Sequence, residues 1–317
     1  MSLIKRAKRV FSEGGLNKLT YEAVYHAFER LNEVFWRLQG NHSKGESVYS
    51  KHWDVLVVID ACRYDLALEL SEKNSFNWWN NIESTWSLGS SSEEWMEKNF
   101  TPDYAEEMSN TAHITANVYS NFELNNSDWR ILLESWKDHW DDTIGTTPAD
   151  MVIKQSIQVW EDKNPDKMIV HLMQPHAPFI SHGWSHTPIS NSDITSTWGQ
   201  YDTEKTVWNQ YRDGEISHDQ LWTAYKDNLE YALTHIDTLL NSIDAETVAI
   251  TADHGNALGE YGVYGHPTGI GHPNLRKVPY VTTTATKNQS IEQITENENK
   301  EITDEIVEKR LNSLGYK

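Results

Sequence analysis

Apolar residues fall into two distinct spacings along this chain. Short unbroken runs at 55–59, 114–118, 168–173, 248–252 and 278–282 each predict a strand. Apolar residues dominate each run, so each is expected to be covered on both faces, as in a parallel sheet. Between them, at 93–99, 149–160 and 222–240, the pattern turns helical. Strands and helices in alternation build a layered domain. The expected fold class is α/β: a three-layer α/β/α sandwich around a mostly parallel central sheet.

Both ends depart from this rhythm. Leu3, Ile4, Val10 and Phe11 are interleaved with Lys5, Arg6, Lys8 and Arg9, the pattern of a short basic amphipathic helix, which Gly14 and Gly15 end. Val24, Phe28, Leu31, Phe35 and Leu38 then alternate spacings of four and three, predicting a second helix with an apolar docking face. The division expected is an N-terminal helical extension and linker over 1–50, a main domain over 51–290 and a C-terminal tail over 291–317. Within the main domain, residues 181–220 are rich in Ser, Thr, Trp and Asp and read as an insertion, whose Trp184, Trp198, Trp208 and Tyr211 either stack on sugar rings or pack. Thr303 is placed to cap a final helix.

Charge narrows the partners. Among 317 residues, 47 Asp and Glu face 27 Lys and Arg, a formal net charge of −20. That field repels nucleic acid. It suits a halophilic surface or an ordinary acidic enzyme equally. The single cysteine excludes an internal disulfide and a cysteine zinc cage. No stretch reaches the roughly 20 apolar residues of a membrane span, and the opening MSLIKRAKRVF lacks the apolar core of a secretory leader. The expected location is cytoplasmic. Residues 1–13 are either a solvated helix end or a peripheral contact with the inner membrane face.

Candidate chemistry gathers at strand ends, where parallel sheets bind ligands. The first strand delivers Asp60 in "LVVIDACRYD", two positions before Cys62. The third runs into "HLMQPHAPF" and places His176 just past its end; the fourth delivers Asp253 and His254 in "TADHGNALGEYGVYGHP". Singly, such residues cap helices or shape turns. Together, two carboxylates and a histidine at strand tips suit a divalent cation.

These motifs resemble the alkaline phosphatase superfamily, and within it the sulfatase-like branch. "IDACRYD" is similar to its first metal motif through Asp60, Arg63 and Asp65, "TADHGNALGEYGVYGHP" to its late metal motif, "PHAPF" to its substrate-contacting histidine loop and "LRKVPYV" to its final core strand; the likeness spans about residues 53–285. The resemblance implies an alkaline phosphatase-like fold and one divalent metal ion on Asp60, Asp253, His254 and a hydroxyl nucleophile. Many members carry an Asp where this chain has Ala61. His254 in place of an Asn tilts the ion toward manganese or zinc, with calcium or magnesium as alternatives. The nucleophile is expected at the helix start in "STWSLGSSSEEWMEKNF", with Ser90 and Glu94 as the best match and Ser87 and Ser91 as alternatives. His176 and His266 are expected to contact the ester's free oxygens, with His272 a weaker, solvent-facing candidate.

Neither Cys62 nor these serines lie in the Cys/Ser-x-Pro-x-Arg segment that formylglycine sulfatases modify, so Cys62 reads as packing. The expected activity is a hydrolase or transferase of phosphoric, or sulfuric, esters, on a small molecule, a glycan or a lipid-linked glycan. The alternatives are a sulfatase acting on a sulfated glycan and a catalytically silent binding protein of the same fold.

Overall fold

Seven strands form one sheet in the computed structural model, which describes residues 44–180, 206–291 and 302–316 together with 27, 31, 34–36, 38 and 40. They are β1 (Val55–Ile59), β2 (Glu83–Trp86), β3 (Thr111–Thr115), β4 (Ile131–Glu134), β5 (Lys167–Leu172), β6 (Ala245–Thr251) and, after a two-stranded ribbon of β7 (Ala257–Leu258) and β8 (Tyr264–Gly265), β9 (Lys277–Ala285). The order across the sheet is β2-β9-β6-β1-β5-β3-β4. β1 pairs in parallel with β5 and β6, and β3 in parallel with β4 and β5, while β9 runs antiparallel to β2 and β6. The mostly parallel sheet is therefore as expected.

β1 shows why the sandwich has three layers. All five of its side chains are buried. Val55, Val57 and Ile59 join a large core with helices α1 (Tyr64–Ser71), α3 (Ala149–Lys163), α5 (His218–Leu240) and α6 (Asp304–Ser313). Leu56 and Val58 face the other way, toward Trp95 and Met96 of α2 (Ser92–Asn99) and toward Trp129. Period-two alternation between two apolar layers locks the register. Truncating Leu56 to Ala would cost about 2–5 kcal/mol. The strand that presents Asp60 is held rigidly.

The helices stop and start for local reasons. Ser217 and Gln220 form a capping box at the start of α5, Asn164 ends α3 in a left-handed conformation (φ 42°), and the Thr303 hydroxyl accepts from the Ile306 amide to cap α6, as expected. α6 buries Val307 and Leu311 in the main core.

Several expectations need correction. The run read as 114–118 is a strand over Thr111–Thr115; beyond it the Asn117 amide bonds the Thr115 hydroxyl and the chain turns away. β2 and β4 were not legible, because these strands are half-exposed and carry polar residues. Residues 31, 34–36 and 38 are helical, but Leu31, Phe35 and Leu38 are exposed. Trp36 docks instead, against Ala257, Val263, Ile270 and Leu275. Within the region read as an insertion, Trp208 is buried beside Phe179 and Tyr225 and belongs to packing. Residues 1–13, Val24, Phe28, Trp184 and Trp198 lie outside the described residues. Among the described residues, no helix is long and apolar enough to cross a membrane.

Candidate active site

The C-terminal ends of β1 and β6, adjacent in the sheet, bring Asp60 beside Asp253 and His254. One donor atom from each lies within 4.8 Å of the others, and all three residues are fully buried. The backbone aims them. Asp253 Oδ1 accepts from the amides of Ala61 (3.0 Å) and His254 (2.8 Å), which leaves Oδ2 facing inward. Asp60 Oδ2 accepts from Asn117 Nδ2 at 2.7 Å, and Oδ1 has no hydrogen-bond partner among the described residues. His254 Nδ1 donates to the Gly255 carbonyl at 2.9 Å, so Nε2 presents its lone pair 3.6 Å from both carboxylates. Ala61, where a second Asp is common, adopts φ 61° and donates the amide that orients Asp253. An L-residue in that conformation is strained, a feature that collects at functional sites.

Electrostatics favour a cation here. Burial and the neighbouring Asp253 charge hold the Asp60 carboxyl far above its ordinary range. Burial also pushes Asp253 up, but His254 and His171 more than offset it, and Asp253 is the ionised member of the pair. Two buried carboxylates repel unless a proton or a metal lies between them. The unpartnered Asp60 Oδ1 and the mixed oxygen and nitrogen donor set fit a divalent ion.

The hydroxyl that faces this group is Ser92. Its Oγ lies 2.7 Å from Asp253 Oδ2, 3.2 Å from Asp60 Oδ2 and 3.3 Å from His254 Nε2. Ser90, expected there, points elsewhere: its Oγ shares its one proton between Glu94 Oε2 (2.8 Å) and the Pro267 carbonyl (3.0 Å) and accepts from the Ile270 amide (3.2 Å). Ser91 is the N-cap of α2, and Ser87 bonds the Asp253 carbonyl. Ser90 and Ser91 therefore clasp the helix start to the 267–270 loop, and Ser92 opens the first turn toward the sheet. A Cβ on Gly89 would meet the Trp95 amide nitrogen at 2.4 Å, so this turn closes only around glycine.

His176 and His266 face the same space, with ring centroids 4.9 Å apart and His254 4.6 Å from His266. His176 engages the Ala177 carbonyl through Nδ1 and leaves Nε2 without a hydrogen bond to any described residue. His266 Nδ1 bonds Asn256 Oδ1 (2.8 Å), an amide oriented by Tyr225. Burial lowers His176 to about 4 and His266 well below its ordinary value. Both present neutral Nε2 acceptors at neutral pH.

Other candidates resolve simply. Cys62 is buried in the main core, and burial pushes its thiol up. Arg63 joins Asp65 to Glu260 and the Asn256 carbonyl, tying the first motif to the late one. His272 is buried rather than solvent-facing: its Nδ1 accepts from the Asn274 amide (2.9 Å) at a short helix start and its ring packs on Trp36.

Sequence reasoning missed four neighbours. Asn117 follows a strand end, a readable signal. His171, within β5, lies 3.6 Å from Asp253 Oδ2 and 3.9 Å from Asp60 Oδ2; neither of its ring nitrogens has a partner among the described residues. His113 stacks behind it (6.4 Å, 11°). A histidine inside an apolar strand was the available clue for both. Tyr316, beyond α6, stacks on His176 (5.0 Å, 27°), and nothing in its local sequence marks it.

The family model for sulfatases matches residues 72–308. No curated protein sequence matches the chain. Among solved structures it is similar to the soluble domain of lipooligosaccharide phosphoethanolamine transferase A from Neisseria meningitidis, with 13% identity and a TM-score of 0.50 over 73% of this chain and 75% of that one. It is also similar to the periplasmic domain of phosphoethanolamine transferase EptC from Campylobacter jejuni (16% identity, TM-score 0.46, 73% and 78% covered) and to lipoteichoic acid synthase LtaP from Listeria monocytogenes (10%, 0.39, 80% and 72%). At 13% identity the first of these likenesses speaks to fold alone.

Proposed function

The chain belongs to the sulfatase family, an enzyme family of ester bonds, and on that premise we propose that it is a metal-dependent phosphoester hydrolase or phosphotransferase using Ser92 as nucleophile. The observation that carries this reading is the contact of Ser92 Oγ with Asp60, Asp253 and His254 opposite two neutral histidines. Asp60 Oδ1, Asp253 Oδ2, His254 Nε2 and Ser92 Oγ would hold the ion. A nitrogen donor beside carboxylates favours zinc or manganese over calcium or magnesium. When bound, the cation would lower the serine pKa and polarise the ester.

The residues divide the remaining work. Ser92 Oγ forms a bond to phosphorus from the start of α2 as the bond to the ester oxygen breaks, and the leaving oxygen takes up the proton that Ser92 gives up. His176 and His266 border the phosphoryl group on the far side and offer Nε2 to the proton released as water, or an acceptor hydroxyl, frees Ser92. The sequence after the nucleophile is Glu93-Glu94-Trp95-Met96, without the Pro and Arg of a formylglycine segment. An unmodified hydroxyl suits phosphate better than sulfate.

The substrate we propose is the ester of a glycan or lipid-linked glycan at the cytoplasmic membrane face. The support is the basic and apolar opening of the chain, whose Lys and Arg side chains would each gain about 1 kcal/mol near anionic lipid. Turnover of an aryl phosphate and an aryl sulfate by zinc- or manganese-loaded protein tests the activity. Hydrolysis of the phosphate in preference is expected. Exclusive hydrolysis of the sulfate would replace this reading with a sulfatase, and no turnover of either would favour a silent binder.

A further inference from the structure

We propose that Tyr316 is a specificity-determining residue of this site: its side chain fills the space in front of Ser92, and an ester reacts only by displacing it. The proposal rests on the phosphoester reading above. The Tyr316 ring stacks on His176, meets His266 edge-on (5.4 Å, 76°) and carries Tyr119 against it (4.9 Å, 73°). Its hydroxyl oxygen is closed off from solvent and lies beside Asp60 and Ser92.

Two sources of contact keep Tyr316 in place. The ring contacts are one source. The other is the segment that carries it. α6 buries Val307 and Leu311, Leu314 adds a third apolar anchor, and Arg310 lies over Trp136 and Trp140. Gly315, at φ 82°, turns the chain back, and the Tyr316 amide donates to the Leu311 carbonyl at 3.0 Å. Tyr316 lies outside the stretch matched to the family, which ends at residue 308.

Substrate and ring compete for one volume. An attacking oxygen stands about 3–3.5 Å from the atom it attacks. The phosphoryl oxygens must then lie between that atom and the two imidazoles, where the Tyr316 ring now packs. A small anion gains little surface by displacing the ring. An ester with an apolar or planar substituent covers the imidazoles again, so the site discriminates by substituent.

The test uses full-length protein, zinc-loaded with loading verified, as wild type, Tyr316→Ala and Tyr316→Phe. Inorganic phosphate binding is measured by calorimetry and zinc affinity by chelator competition. Removing an aromatic contact that competes with the ligand should tighten phosphate binding roughly 3- to 10-fold in Tyr316→Ala. Tyr316→Phe should stay within about twofold of wild type, because the ring is retained. For an aryl phosphate, the alanine change should appear in KM and leave kcat nearly constant. Phosphate binding by Tyr316→Ala that equals or falls below wild type overturns the proposal, as does a phenylalanine variant that behaves like alanine. If no form binds phosphate after loading, the phosphoester reading fails first and this proposal with it.

Discussion

Ser92 donates its hydroxyl to Asp253 Oδ2 across 2.7 Å, joining residues 161 positions apart in the chain. A helix start and a strand end meet there beside Asp60. From this contact the functional assignments can be separated by mutation.

Ser92→Ala should lower kcat by roughly 1000-fold or more, as loss of a nucleophile does, while zinc still binds through the three remaining donors. Ser90→Ala should behave differently. Its hydroxyl ties Glu94 to the 267–270 loop, so the expected effect is a loss of about 1–2 kcal/mol in stability with kcat falling far less. Equal kinetic collapse of both variants would return Ser90 to the chemistry.

His171 offers a second separation. Its imidazole is the buried group that backs both carboxylates, 3.6 and 3.9 Å away. Outer groups that orient metal ligands typically change affinity about 10- to 100-fold, so His171→Leu should weaken zinc binding by at least about 10-fold. His171→Gln, which keeps an N–H, should fall between. Unchanged zinc affinity in the leucine variant would remove His171 from the site.

A pH dependence follows from His272, away from the carboxylates. Burial lowers it to about 4, and in its neutral form Nδ1 accepts the Asn274 amide. The unfolded value is about 6.5. Because the folded pKa lies below the unfolded one, the native state binds fewer protons in between. The contribution is complete above about pH 6.5 and declines as pH falls toward 4, by up to about 3 kcal/mol. Denaturant unfolding of metal-free protein at pH 7 and pH 5 should show the loss, and His272→Asn should flatten the slope. An unchanged slope would contradict the assignment.

How much of this was legible depended on the range of the cause. β1 and the end of β6 are governed by local apolar runs, and Asp60, Asp253, His254 and His176 stood out at their tips. The edge strands escape this signal: β2 is mostly polar and β4 has only three apolar residues, half-exposed, and each has one neighbour. The choice among Ser90, Ser91 and Ser92 was beyond sequence reading. Ser91 is the extended N-cap and Ser92 the first helical residue, so neighbouring side chains point in different directions, and which one faces the sheet is decided by the clasp to residues 267–270, 177 positions or more away. Tyr316 and His171 enter the site by tertiary packing alone. The exposed faces of Leu31, Phe35 and Leu38 show the converse, a helical stripe read as docking whose neighbour Trp36 makes the contact.

Anomalous diffraction from crystals of the zinc-loaded protein tests the central claim most directly. The account predicts one zinc peak, with Asp60, Asp253, His254 and Ser92 Oγ each about 2 Å from it. A peak elsewhere, or a single peak there with the Ser92 hydroxyl turned away and Ser90 in its place, would contradict it.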